Sequence, residues 1–297
     1  MEVFSINKTL KKNWQAYLFT APFVVLSAVF MVYPIFGGFV NSLYNSKWGS
    51  NVFVGFANYA KIFSKDIYLL SIRNSLFLVA TVVPLLIVFG LLIAGSIFDK
   101  VPAYVSGVRI CLYIPVIISM VVMSIIWRFI LDSQTGLIRY FTMQLGLESV
   151  DVLSNIKWTL ILLVFILFTM NIGQCVLLYV ADMIGISKEL IEACRIDGGS
   201  RWHMFRYILI PLTKPTTVFV FITQASATLK TFIVIQLLTK GGPNFKTTTM
   251  MFLLYQEAFE NSNTGVASAI GVLMFLISLL LVTFRFISLR REENKAK

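Results

Sequence analysis

Residues 192–215 read EACRIDGGSRWHMFRYILIPLTKP, a charged, glycine-broken segment set between two long apolar runs. Ser187 predicts the N-cap of a short helix reaching about Asp197, where Gly198-Gly199 permits a turn that a side chain would hinder. Ser200 predicts the cap of a second short helix reaching towards Pro211. Along the first helix Leu190, Ile191, Ala193 and Cys194 make an apolar side, while Lys188, Glu189, Glu192, Arg195 and Asp197 leave charges free for a partner. The expected unit is a helix-turn-helix lying beside a membrane. Gripped by a partner, it would act as a rigid lever and pass its movement to the helix that follows Pro211.

The membrane follows from composition. With 58% hydrophobic and 13% charged residues among 297, the chain has too little polar surface for a soluble globule. Charge-free runs cover 16–40, 74–98, 110–127, 158–181 and 261–284, each at or above the roughly 18 residues needed to cross a hydrocarbon core of about 30 Å. A sixth span is interrupted by Lys230 and is read as one helix over 213–238. The expected architecture is all-α with six transmembrane helices, because nothing shows the dyad alternation of a barrel and every backbone polar group in lipid must be satisfied internally. The chain divides into an N-terminal tail, 1–15, and a single membrane domain, 16–297. Its spans lie at about 16–40, 74–98, 109–130, 158–181, 213–238 and 261–285, with the helix-turn-helix loop at 182–212. Trp14, Tyr17, Tyr44 and Trp48 flank the first span as interfacial rings.

Six spans put both termini on one side. With the termini inside, the inner segments hold fifteen of the twenty-five Lys and Arg, so termini and loop are expected in the cytoplasm. The net charge of +11 is scattered beside spans and fits membrane-surface anchoring rather than a nucleic-acid partner. Residues 1–30 lack a small-residue cleavage pattern, so the first span is expected to be retained. Cys111, Cys175 and Cys194 support neither a disulfide nor a metal site.

The loop resembles that of bacterial ABC importer permeases, whose usual form is Glu-Ala-Ala, then Asp-Gly-Ala, then an aromatic, then Leu-Pro. The matching residues are Glu192, Ala193, Cys194, Asp197, Gly198, Gly199, Phe205, Ile210 and Pro211, departing at Cys194, Gly199 and Ile210, where Ala, Ala and Leu are usual. Tyr33-Pro34, Gly55-Phe56-Ala57-Asn58-Tyr59, Arg109, Pro115, Trp127-Arg128 and above all Leu238-Thr239-Lys240-Gly241-Gly242-Pro243 resemble the carbohydrate-uptake subgroup, which handles maltose-like oligosaccharides, other sugars and glycerol 3-phosphate. The last segment is similar to the first of the two permeases such importers pair. The resemblance implies a type I importer fold, a bacterial inner-membrane location, a second permease subunit, a dimer of ATP-binding cassette subunits and an extracytoplasmic solute-binding protein. It also implies that Glu192, Ala193, Arg195, Asp197, Gly198, Gly199, Phe205 and Pro211 couple the chain to the ATPase. No cofactor is expected in this chain, since it has no G-x-x-x-x-G-K-[ST] loop, and ATP with its Mg would sit on the partner subunits. It would do no chemistry itself.

Polar residues inside spans are costly unless they face a cavity or another helix. Asn171 and Gln224 each lie about 15 Å from the cytoplasmic end of their spans and Gln174 about 10 Å. Gln224, Thr228 and Thr231 recur at i, i+4 and i+7, one helical face. These residues, with Ser119 on the third span, form the expected solute path. Amides and hydroxyls both donate and accept, which suits sugar hydroxyls, and Trp127 or Phe232 can stack on a sugar face. Helix–helix hydrogen bonding is the competing account. Lys230, within snorkelling reach of the outer interface, leaves open an acidic sugar or glycerol 3-phosphate. An ion-coupled secondary transporter would call for membrane acids, and Asp or Glu is absent from every charge-free span. His203 is expected at a surface or interface. In a background lacking native cysteines, a cysteine at Ser200 should be labelled only from the cytoplasm and one at Asn244 only from outside. Labelling of both from one side would mean that the fifth span does not cross.

Overall fold

The computed structural model describes residues 14–296 except Trp48, Ser50, 147–152 and 154–157. Most of the 1–15 tail, the interfacial Trp48 and the charged side chains beyond 283 lie outside the described residues. The first helix, α1 (Trp14–Ser27), passes through a wide π turn, Ala28–Val32, into α2 (Tyr33–Asn41). Two short strands follow, β1 (Tyr44–Asn45) and β2 (Val52–Phe53), pairing antiparallel with Tyr44 opposite Phe53. Then come α3 (Ala57–Ser64), α4 (Asp66–Ile97), α5 (Pro102–Ile117), α6 (Met120–Ile130), α7 (Leu137–Gln144) and α8 (Thr159–Ile184). The helix-turn-helix unit is α9 (Lys188–Ile196), α10 (Arg201–Met204), a second π turn, Phe205–Leu209, and α11 (Ile210–Leu212). The chain finishes with α12 (Lys214–Leu229), α13 (Ile233–Leu238), α14 (Met250–Tyr255), a third π turn, Gln256–Glu260, and α15 (Thr264–Ala296).

Among the described residues, five helical stretches are long and apolar enough to cross a membrane: Tyr17–Asn41, Asp66–Ile97, Thr159–Ile184, Lys214–Leu238 and Thr264–Thr283. The straight helix expected at 109–130 is instead the pair α5 and α6, apolar enough to cross only when taken together and bent by 96° at Ile118-Ser119. Pro115 removes one backbone donor just before the bend, Ile118 and Ser119 have ψ of 135° and 144°, and the Ser119 hydroxyl accepts from Val122 N at 3.2 Å to start α6 afresh.

The central element is α8, packed against α4, α5 and α12. Leu163, Ile166, Cys175 and Tyr179 on it are fully buried. At its crossing with α5 a Cβ on Gly173 would overlap the Leu112 carbonyl, so the two backbones touch. The Tyr179 ring packs over Gly90 of α4, and its hydroxyl donates to Thr217 Oγ1 of α12 at 3.2 Å. A polar knot holds the opposite end of α4. Asn74 Nδ2 donates to the carbonyls of Lys246 (2.8 Å) and Thr248 (2.9 Å), and Ser75 Oγ accepts from Met250 N at 2.9 Å. The Leu-Thr-x-Gly-Gly-Pro segment builds the other half of that knot. The Thr239 and Thr247 hydroxyls meet at 2.8 Å, and Thr247 donates to Gly242 O at 2.7 Å. Gly173→Val should separate α5 from α8 and destabilise the detergent-solubilised chain by about 2 kcal/mol or more. Gly107→Val, where nothing lies within 4 Å, is the control that should melt normally.

Candidate functional site: the helix-turn-helix unit and the span amides

Both expected caps form. Ser187 Oγ accepts from Glu189 N at 3.2 Å, and Ser200 Oγ accepts from His203 N at 3.3 Å. Gly198 has φ +76, a conformation in which an L side chain is strained, and it carries the chain out of α9. Gly199 is small for a different reason: a Cβ there would lie 2.5 Å from Cys194 Sγ and 2.7 Å from the Cys194 carbonyl, which accepts from Gly199 N at 2.8 Å. The wide turn Phe205–Leu209 lets Ile210 N reach back to Phe205 O just before Pro211, which has no N–H to offer.

The unit is seated rather than hung. Ile191, Met204, Phe205 and Leu209 are buried in the same apolar core as Ala94, Ile97, Val180 and Met183. The Phe205 ring lies so close to Gly95 of α4 that a Cβ at Gly95 would overlap it. The expected apolar side of α9 is therefore split: Ile191 and Cys194 turn inward, while Leu190 and Ala193 face out. Leu190, Ile196, Trp202 and Tyr207 remain exposed, with Ile196 at 86% and Trp202 at 63%, and Glu192 and Asp197 are exposed beside them. His203 is exposed and stacks on Tyr207. Arg195 is less free than its sequence position suggests. It forms an ion pair with Asp99, a residue of the α4–α5 link that sequence reasoning did not single out. Spacing gives no signal for a pair formed across so long a stretch of chain.

The polar residues of the spans are only partly gathered. Gln224 Nε2 donates to Gln174 Oε1 at 3.5 Å, joining α12 to α8. Asn171 is half-buried and donates to Leu167 O at 2.8 Å within its own helix. Gln224, Thr228 and Thr231 are buried within the chain, whereas Gln174 and Ser119 are exposed. The single face read through Gln224, Thr228 and Thr231 is interrupted, because α12 ends at Leu229 and Thr231 lies in the break before α13. Lys230 caps α12 there with its side chain exposed. Ser119 sits at the bend and is used as a cap. Trp127 packs edge-to-face on Phe165 at 5.7 Å, with its Nε1 buried and unpartnered among the described residues. Phe232 packs on Tyr255 at 4.4 Å. At the knotted end of α4 burial pushes the Lys61 ammonium pKa down, against the pull of Glu257. The backbone N–H groups of Thr135 and Gln134 hold the Asp132 carboxyl below its usual range.

Residues 86–293, from the middle of α4 into α15, match the model of the binding-protein-dependent transport system inner membrane component family. The chain belongs to this family. The permease is 29% identical over 285 residues to a probable ABC transporter permease protein of Pyrococcus horikoshii, covering 93% of this chain and 96% of the other. It is 31% identical to the sn-glycerol-3-phosphate transport system permease protein UgpA of Rhizobium meliloti, with 91% and 92% covered. It is 26% identical to the lactose transport system permease protein LacF of Rhizobium radiobacter, with 93% and 94% covered. Its fold is shared by a bacterial alginate ABC transporter in complex with an alginate pentasaccharide-bound periplasmic protein. The TM-score is 0.82 at 23% identity, and 96% of each chain is covered.

The permease is thus a multi-pass inner-membrane component of a type I importer, without catalytic activity of its own. ATP is hydrolysed by partner subunits, and the solute arrives on a binding protein. Gly198→Pro places a fixed negative φ where the permease needs +76. The variant should reach the membrane at normal levels yet lose transport and co-purification with the ATPase. Wild-type co-purification would show that the turn is dispensable.

Proposed function

We propose that this permease carries a sugar, a di- or oligosaccharide, across the cytoplasmic membrane by alternating access, paired with a second permease subunit and with both termini in the cytoplasm. The observation that carries the reading is the amide pair Gln174–Gln224, which joins two spans through neutral side chains. A neutral donor–acceptor pair at that depth suits hydroxyls better than an ion. The exposed Gln174 is the accessible member, and opening of the α8–α12 contact would bring in Gln224 and Thr228. The unpartnered Trp127 N–H offers a further donor. Relatives named for lactose, arabinooligosaccharides and sn-glycerol 3-phosphate support the class. An acidic sugar or glycerol 3-phosphate is the second reading, favoured by the exposed Lys230 at the end of α12.

The exposed face of α9 and α10 receives the ATPase, with Glu192, Ala193 and Asp197 at the contact and Gly198, Gly199, Phe205 and Pro211 shaping it. Closure of the ATPase dimer moves the unit, and α12 carries the movement into the bilayer. Glu192→Lys should therefore abolish transport without removing the protein from the membrane. For the path, each lost amide hydrogen bond costs about 0.5–1.5 kcal/mol, so single alanines at Asn171, Gln174, Gln224 or Thr228 should weaken uptake only several-fold. The combined variant Asn171→Ala, Gln174→Ala, Gln224→Ala, Thr228→Ala is assayed with radiolabelled di- and oligosaccharides and glycerol 3-phosphate. It should lose uptake while the complex still assembles. Uptake near wild type would make these residues helix glue and place the path elsewhere.

A further inference from the structure

The α4–α5 link and α9 are distant in sequence and share one charged contact. Asp99 follows the last turn of α4 with φ +63, a left-handed conformation that Asp and Asn tolerate better than other side chains. From there its Oδ2 meets the Nη2 of Arg195 on α9. The pair lines a cavity of about 580 Å³ between the end of α4 and the helix-turn-helix unit, with Lys100, Arg201 and Trp202 also on its wall. Across that cavity the Phe205 ring is seated on Gly95. The unit is thus attached to the α4–α5 hairpin by an ion pair and by apolar packing, in addition to its covalent continuity with α8 and α12.

The two side chains are 52% and 46% exposed, so the pair adds little to the stability of the fold. What it supplies is direction. A movement of α9 changes the pair's geometry unless Asp99 follows, and Asp99 is joined through Lys100-Val101 to α5. We propose that Asp99 and Arg195 are a positioning pair that carries displacement of the helix-turn-helix unit into the α4–α5 hairpin, so that transport moves α4 and α5 together with α12. The proposal rests on the reading of the unit as the ATPase contact.

The test uses the assembled complex with both permeases, the ATPase and the binding protein, in lipid nanodiscs. Spin labels at Tyr207 in the unit, Tyr104 on α5 and Leu280 on α15, all exposed, report distances without nucleotide and with ATP and vanadate. In the wild type the 207–280 and 104–280 distances should change together, while the 207–104 distance stays constant. Asp99→Asn keeps a residue that tolerates the left-handed backbone and removes the charge. It should let the 207–104 distance drift on ATP binding and lower binding-protein-stimulated ATP hydrolysis by about two- to fivefold, the range open to a half-exposed pair. An unchanged 207–104 distance in Asp99→Asn would overturn the proposal and leave Arg195 as a direct ATPase contact. A wild-type unit that fails to bind the ATPase, or that does not move relative to Leu280 on ATP binding, would sink the underlying reading and the pair with it.

Discussion

The backbone contact between Gly173 of α8 and the Leu112 carbonyl of α5 sets the spacing at the centre of this molecule. In lipid the helices gain nothing from leaving water, so their association depends on dispersion and on how closely backbones approach. With α5 brought in at Gly173 and α4 at the Gly90–Tyr179 contact, α8 touches α4, α5 and α12 together. Both other features hang on it. Gln174, the residue after the crossing glycine, is placed to meet Gln224, and Met183 at the far end of α8 joins the core on which the helix-turn-helix unit is seated.

That unit departs from the usual family pattern at Cys194 and Gly199, and the structure packs these two positions against each other. A Cβ at 199 would lie 2.5 Å from the Cys194 sulfur and 2.7 Å from its carbonyl, so the space at 199 is closed by both the side chain and the backbone of 194. Backbone geometry sharpens the constraint, since the Cys194 carbonyl accepts the Gly199 N–H. Gly198 obeys a separate rule, its positive φ, with open space around the position of its missing Cβ. Two adjacent glycines thus serve two physical needs, one torsional and one steric.

The polar residues of the spans divide by the same logic. Hydroxyls on helices mostly return to carbonyls a turn earlier, as Thr213 does to Leu209 and Thr223 to Phe219, and are thereby spent inside their own helix. The threonines of 247–249 instead close the knot between α13, α14 and α4. An amide is harder to satisfy locally because it has two donors and an acceptor, and Gln174 and Gln224 reach across between α8 and α12, as the Tyr179 hydroxyl does to Thr217.

Much of the architecture was legible in the chain alone. Long charge-free runs require helices, because lipid offers no partner to backbone groups, and Ser187, Ser200 and Gly198 specify caps and a turn through interactions within a few residues of themselves. Family membership was legible too, since it rests on motifs at fixed spacing. What tertiary structure decided lies where distant segments meet. The bend at Ile118-Ser119 replaced the straight helix expected there. The break before Thr231 split a face that periodicity had joined, because periodicity presumes an unbroken helix. Which side of α9 is buried was set by the seating of Ile191 and Phe205 on the core, and the partner of Arg195 by a left-handed Asp99 in a link far away in sequence. Local rules reach about one helical turn, and a contact between residues 99 and 195 exists only once the helices between them are packed.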